Sequence, residues 1–267
     1  MANPAFSTNP AFNGKGVPAI PTPSPEQLQQ QFNLPSAPDP AAAAPMTVDG
    51  TVRTTLGTFG VLLLGAAIGW VTLTLVPFLF IGAAIVGFVL ALVNIFKREP
   101  SPALILGYAG AQGIFLGGIS ALFEAQLPGI VSQAVLATFT VVGVTLALFA
   151  SGKIRASKRA TKIFLVAMVG YLVFSLINVG LMLFGVTTHP WGLRTEVEIF
   201  GIPLGLILGV LAVLLGAYSL VLDFDFIQKG VQNRIPKKYQ WTGAFGIMVT
   251  VIWLYLEILR LIAILRR

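Results

Sequence analysis

Three acidic residues lie within or beside the most apolar segments in the last third of the chain. Asp223 and Asp225 follow an apolar run that ends near residue 222, and Glu257 lies between the segments WLYL and ILRLIAIL. An ionised carboxylate is costly in hydrocarbon, so such a residue is by default a candidate functional site. Carboxylate oxygens are also ligands that Ca²⁺ prefers, and neighbouring carboxylates titrate as a coupled group. The chemistry that these residues could perform is therefore cation binding under the control of protons.

The spacing gives these carboxylates different expected roles. Asp223 and Asp225 are two residues apart, so on a helix their side chains point about 200° apart and cannot both face one cavity. We expect Asp223 to face the protein interior and to form, with Glu257, a titrating pair that serves as pH sensor and ion gate. Asp225 is expected to be an auxiliary ligand, which makes Asp223, Asp225 and Glu257 a candidate Ca²⁺ site.

A second interpretation of Glu257 is purely structural. Arg260 follows three residues later and therefore lies on the same face of a helix. An internal pair between Glu257 and Arg260 would cancel its own charge and leave the two aspartates at the membrane surface. The spacing alone is compatible with both interpretations.

The elements that must position these residues are transmembrane helices. The chain of 267 residues is 56% apolar and 10% charged, and its mean hydropathy is +0.86, whereas about a quarter of the residues in a soluble domain are charged. We therefore predict an all-α polytopic membrane protein in which residues 51–267 form one bundle of seven transmembrane helices. The predicted spans are 54–76, 78–96, 102–123, 128–150, 163–185, 200–222 and 241–265.

Residues 1–50 differ in kind from the rest of the chain. They are rich in Pro, Ala, Asn, Gln and Ser and contain too few periodic apolar residues to form a core. We predict a disordered cytoplasmic tail. The segment NPAF occurs twice in it, at residues 3–6 and 9–12, either as a short docking motif or as a chance repeat.

Composition also argues against several kinds of chemistry. The chain has no Cys and one His, His189, in a predicted loop where we interpret it as an interfacial residue. Thiolate metal sites, histidine clusters and the HExxH zinc motif are thereby excluded. The predicted spans contain neither a GxGD aspartate pair nor a Ser–His dyad. We expect no enzymatic activity, no catalytic residue and no cofactor, with Ca²⁺ only as a transported ion.

The basic residues predict the orientation. Most Lys and Arg residues fall on one side of the predicted bundle, in the N-terminal region, after the second span, at residues 153–162 and at residues 229–238. The positive-inside rule therefore puts the N-terminus in the cytoplasm and the C-terminus outside, provided that the last segment crosses the membrane rather than re-entering it. We interpret the run at 153–162 as a topology determinant and expect no nucleic-acid partner.

Several motifs resemble those of one family. The ending LYLEILRLIAIL at residues 254–265 is similar to the LYLD-I-NLFL-LLR ending of the Bax inhibitor-1 family. LDFDFI at residues 222–227 resembles its YDxxxI segment. The NPAF motif and SPALILGYAGAQGIFLGGIS at residues 101–120 resemble the bacterial branch of that family. The resemblance covers residues 47–267, with seven spans in the same order.

The resemblance implies a multi-pass protein of a bacterial cytoplasmic membrane that acts as a pH-sensitive Ca²⁺ leak. It implies an acidic pair on spans six and seven, here Asp223 and Glu257, although Glu257 replaces an aspartate and the two acids are further apart in sequence. The second span lacks the family's arginine latch, so Arg260 is the candidate substitute. The alternative is a non-conducting regulator that binds other membrane proteins. The expected partners are the lipid bilayer and possible membrane proteins.

Overall fold

The structure, a computed structural model, describes residues 44–187 and 191–266, together with Ser24, Pro25 and Gln29. The chain divides into two units, residues 1–43 and residues 44–267. The second unit is the helical bundle. Most of the predicted tail, both NPAF repeats and His189 lie outside the described residues.

Seven helices in the described part of the chain are long and apolar enough to cross a membrane. The prediction of an all-α, seven-span membrane protein is thus confirmed. The connection between the fifth and sixth spans contains a further short helix, α6, and a two-stranded antiparallel hairpin, β1–β2. In chain order the elements are α1 (Val48–Thr72), α2 (Leu79–Phe96), α3 (Pro102–Gln126), α4 (Ile130–Ala150), α5 (Lys158–Leu183), α6 (Leu193–Glu196), β1 (Glu198–Ile199), β2 (Ile202–Pro203), α7 (Leu204–Gln232) and α8 (Gln240–Leu265).

Several helices extend beyond the apolar runs that predict them. The helix α1 begins at Val48, where the Thr47 side chain accepts a hydrogen bond from the Gly50 N–H. At the start of α5 Ser157 caps in the same way, by accepting from the Ala160 N–H. Such caps satisfy N–H groups of the first turn, so a helix can begin outside the hydrocarbon region of the membrane. Hydropathy marks only the part of each helix that lies in lipid.

Residues 44–50, which the sequence assigns to the disordered tail, belong to the folded bundle. The Met46 side chain is only 1% exposed, and its backbone N–H donates to the Ile235 carbonyl at 2.8 Å. Pro45 and Pro236 form an isolated antiparallel bridge beside it. The sequence does not predict this contact, because a single apolar side chain in a Pro- and Ala-rich segment gives no periodic pattern.

Small residues bring α1 and α3 into backbone contact, as the run of glycines in residues 107–118 indicates. A Cβ atom on Gly113 would collide with the Leu62 carbonyl oxygen, and one on Gly117 with the Ala66 carbonyl oxygen. On the facing helix, a Cβ on Gly69 would strike the Ile114 carbonyl oxygen. Close approach of this kind is a main source of helix association in lipid, where water exclusion gives no driving force.

The most deeply buried span is α8, which packs against α7, α1 and α4. By contrast α2 and α5 present many large apolar side chains to the outside, as expected of helices that face lipid. One continuous α8 of 26 residues is about 39 Å long, which is enough to cross a hydrocarbon core of about 30 Å. The alternative of a re-entrant last segment therefore does not describe α8.

Candidate functional site

Glu257 lies in the interior of the bundle with an arginine on either side. Its side chain is 4% exposed, and Arg260 Nη1 donates to both of its carboxylate oxygens, at 2.8 and 3.0 Å. Arg194, from the short helix α6, places its Nη1 atom 3.8 Å from Glu257 Oε2. Two guanidinium groups thus face one carboxylate, and the cluster carries one net positive charge.

Arg194 reaches this position because the connection after α5 folds back into the bundle. Asn178 holds this connection in place, because its side chain accepts a hydrogen bond from the Leu193 N–H at 2.8 Å and donates one to the Trp191 carbonyl at 3.2 Å. Gly192 adopts a positive φ of 56°, and a Cβ there would lie 2.6 Å from Asn178 Oδ1, so only glycine fits.

Once in place, the Arg194 guanidinium is held by α5. Its Nη2 atom donates to Tyr171 Oη at 2.9 Å and to Ser175 Oγ at 3.1 Å, while Nη1 has no hydrogen-bond partner among the described residues. The side chain is 5% exposed. A buried guanidinium whose charge faces Glu257 is stable only while that carboxylate remains ionised.

A cavity of about 680 Å³ lies between α5, α7 and α8. Apolar side chains make up much of its wall, and the charged groups Arg194, Glu257 and Arg260 lie at one part of it. Ser219 of α7 and Thr250 of α8 line it as well. A mostly apolar cavity with a few convergent polar groups is the usual form of a small-molecule or ion site.

Asp223 is joined to the hydroxyl groups of this cavity. Thr250 Oγ1 donates to Asp223 Oδ2 at 2.8 Å, and Ser219 Oγ lies 3.2 Å from Thr250 Oγ1. Gly246 gives the carboxylate room, since a Cβ there would lie 2.9 Å from Asp223 Oδ1. No ion pair involves Asp223 in the ranges that the structure describes, which makes its environment unlike that of Glu257.

The two predicted gate carboxylates do not form a contact pair. Thr250, the partner of Asp223, precedes Glu257 by two helical turns, about 10 Å along α8. Glu257 lines the cavity together with Thr250 and Ser219, whereas Asp223 is not a lining residue and contacts the cavity wall through Thr250. The structure therefore shows two separate acids, of which only Glu257 lines the cavity.

Asp225 points elsewhere, and the three carboxylates that the sequence predicts as a Ca²⁺ site do not converge. Its Oδ2 atom lies 2.5 Å from Lys229 Nζ, one turn further along α7, and Lys229 is largely exposed. Among the described residues, no group of three or more His, Cys, Asp or Glu side chains is arranged to hold a metal ion. Asp223, Asp225 and Glu257 fail to converge because two-residue spacing separates the aspartates around α7 and two turns of α8 separate Glu257 from Thr250, the partner of Asp223.

A comparison with protein families identifies the chain. The family model described as Bax inhibitor 1 like matches residues 3–267. The chain belongs to this family. No curated protein matches it. The resemblance that the LYLE and LDF motifs indicate is thus confirmed, and membership agrees with the seven apolar helices.

In this member of the Bax inhibitor 1-like family, sequence reasoning missed Arg194, Ser219 and Thr250. Thr250 is a hydroxyl residue within the apolar run of the last span and could have been noted as a partner for an acid. For Arg194 the sequence carries no signal, since a loop arginine ordinarily remains in water. Its role depends on the fold of the connection, which Asn178 and Gly192 determine together.

Proposed function

We propose that this Bax inhibitor 1-like protein is a pH-sensitive leak for cations, Ca²⁺ in the first place, with Asp223 and Glu257 as the groups that control it. The observation that carries the proposal is the cavity lined by Glu257 and by Thr250, whose hydroxyl donates to Asp223. An arginine-bound acid and, among the described residues, an acid without an ion pair are a costly combination inside a membrane-spanning bundle.

Asp223 provides the cation-attracting end of the path. Its carboxylate with the hydroxyl groups of Thr250 and Ser219 forms a short series of oxygen atoms, which hard cations such as Ca²⁺ prefer. One carboxylate and two hydroxyls bind an ion weakly. Weak binding suits a leak, because an ion that conducts must be able to leave its site.

The cluster around Glu257 provides the barrier. Arg194 and Arg260 outweigh the single carboxylate, so a cation that moves along the cavity from Asp223 meets a net positive charge in a medium of low dielectric constant. In this arrangement the path is closed to cations. Opening requires the Arg260 guanidinium to leave Glu257, and because Arg260 is on the same helix three residues away, a change of side-chain rotamer is sufficient.

The proposed pH dependence follows from the charge of Asp223. Protonation removes its negative charge and weakens the attraction for a cation, so flux should fall as the pH falls. The charged groups near this end of α7 have partners of their own: Asp225 pairs with Lys229, and Arg155 donates to Gln228 at 2.7 Å. Lys229 and Arg155 are exposed to water, which screens their charges from Asp223.

We also propose that the N-terminus lies in the cytoplasm of a bacterial cell. The bundle brings several basic segments to one end, where Lys238 pairs with Glu99 at 2.7 Å and residues 45–46 contact residues 235–236. Basic loops on one side indicate the cytoplasmic face. Because the chain lacks Cys, single cysteines introduced at Lys153 and at Glu198 should be labelled by an impermeant maleimide from opposite sides of the membrane.

The test of the leak is Ca²⁺ flux into proteoliposomes that contain a trapped indicator. Wild-type protein should give flux that declines between about pH 8 and pH 5, the range in which perturbed carboxyl groups titrate. Asp223→Asn should hold the flux near its low-pH level at every pH, whereas Asp225→Asn should follow the wild-type profile. If purified protein gives no flux at any pH, the leak proposal fails and the non-conducting regulator is the better description.

A further inference from the structure

The cavity opens sideways toward lipid. Leu165, Val169 and Leu172 of α5 line it, and each of them has more than half of its surface exposed. These residues are shared between the cavity wall and the lipid-facing surface of α5. In a bilayer the space between α5 and the α7–α8 pair is therefore continuous with the acyl-chain region.

The fixed points of α5 explain why the gap persists. At its beginning, Thr161 Oγ1 lies 3.0 Å from Tyr218 Oη, and the rings of Phe164 and Tyr218 are 5.4 Å apart. Nearer its end, Tyr171 and Ser175 accept hydrogen bonds from Arg194. Apart from these two attachments α5 makes few contacts with α7 and α8, and the cavity follows α5 from Leu165 to Met182.

At the polar end of the opening, the Arg260 guanidinium has N–H groups that donate to no described residue. Arg260 Nη1 alone serves both oxygens of Glu257, and no other nitrogen of that guanidinium donates to a described residue. Its side chain is 28% exposed, against 4% for Glu257. With Arg194 the cluster has one net positive charge, so a ligand with one negative charge would complete it.

Arg260 precedes the end of α8 at Leu265 by about 8 Å, so its long side chain can reach toward the lipid headgroups at that end of the bundle. The guanidinium stacks near the Trp191 ring, with 5.8 Å between Arg260 Cζ and the ring centroid. Tryptophan and arginine together are typical of the membrane interface.

We infer that the opening between α5 and the α7–α8 pair binds an anionic phospholipid. Its phosphate would accept hydrogen bonds from the unused edge of the Arg260 guanidinium, and one acyl chain would enter the cavity past Val169. Arginine pairs with phosphate through two parallel hydrogen bonds, and basic pockets between transmembrane helices bind anionic headgroups. This inference does not depend on ion conduction.

Tryptophan quenching by brominated lipids tests the site directly. Trp191 and Trp253 line the cavity, so the double variant Trp70→Phe/Trp241→Phe leaves only these two reporters. Its thermal unfolding is compared with that of the wild type before use. Quenching is compared in two bilayers, one with brominated phosphatidylglycerol and plain phosphatidylcholine, the other with plain phosphatidylglycerol and brominated phosphatidylcholine. From the two we expect about a fivefold preference of the site for the anionic lipid, which is the factor that one basic residue contributes.

Matched variants in that background separate a site from general attraction. Arg260→Gln should abolish the preference, and Arg266→Gln, which removes a charge at the same end but outside the cavity, should keep it. The triple variant Arg194→Met/Glu257→Gln/Arg260→Gln repeats the test without leaving a buried charge unpaired. Equal quenching by both lipids, or a preference that survives loss of Arg260, would overturn the inference. Displacement of the phospholipid by an equimolar brominated fatty acid would overturn the choice of a phospholipid.

Discussion

The two ends of the α7–α8 pair surround an acidic side chain in opposite ways. Asp223 accepts a hydrogen bond from the neutral Thr250 hydroxyl, whereas Glu257 accepts two from Arg260 and faces Arg194. Both acids come from apolar helices of similar composition, although Glu257 is buried and Asp223 is half-buried. The difference teaches that the neighbouring groups decide which charges a change at an intramembrane acid leaves unpaired.

At the Glu257 end, any change of charge disturbs a compensated cluster. Loss of the carboxylate would leave two guanidinium groups without an anion, one of them almost fully buried. At the Asp223 end, loss of the charge leaves no described cation unpaired. Stability should therefore depend on Glu257, and responsiveness to protons on Asp223.

The largest expected effect is that of Glu257→Gln on stability. Breaking one partner of a buried ion pair costs about 3–5 kcal/mol, because the remaining charge stays buried. Thermal and urea unfolding in one detergent would measure it. The double variant Glu257→Gln/Arg194→Met should recover much of the loss, since it also removes the buried cation. A cost below about 1 kcal/mol would show that the two ends are alike after all.

A smaller effect is expected of Thr250→Val. It removes one hydrogen bond to Asp223 and should cost about 1–2 kcal/mol in the free energy of unfolding. The change sharpens the comparison because valine keeps the shape of threonine while leaving the carboxylate without its donor. Thr138→Val, on α4, is the matched control, since that hydroxyl donates only to the Ala134 carbonyl of its own helix. Equal costs for the two variants would contradict a special role for the Thr250–Asp223 bond.

The smallest effect concerns Glu99, an exposed acid in the loop between α2 and α3. The hydrogen bond and the charge of Lys238 lower the pKa of Glu99. A lowered pKa contributes stability above the unfolded-state value, and that contribution is lost as the pH falls through the folded-state value. Glu99→Gln should therefore melt slightly below the wild type near pH 7, and the two melting temperatures should converge as the pH falls below about 4. A variant that changes stability strongly would mean that exposed and buried acids in this protein behave alike.

Much of the fold could be predicted because hydropathy is a local property. Continuous apolar runs, bounded by Lys, Arg and Pro, indicate each of the seven spans, and the glycines of α3 indicate its close packing. Helix ends were less predictable, since α1 begins at Val48, six residues before the predicted span.

The site was only partly predictable, because it depends on contacts between distant segments. The carboxylates are visible in sequence, and so is the Glu257–Arg260 pair, since three-residue spacing is a helical property. The position of Arg194 is not, because it results from a connection that folds inward, and the separation of Asp223 from Glu257 depends on the axial offset between α7 and α8. Helical periodicity gives the face of a residue but not its height relative to another helix.

The contact between Met46 and Ile235 joins the segment before the first span to the loop before the last. During biosynthesis the ribosome completes six spans before the acceptor of this bond exists, so the early segment must wait in an unpaired state. Attachment of Met46 is then among the final events of assembly. A nascent chain that stalls before Ile235 would leave its start accessible to proteases, while a completed one would protect it.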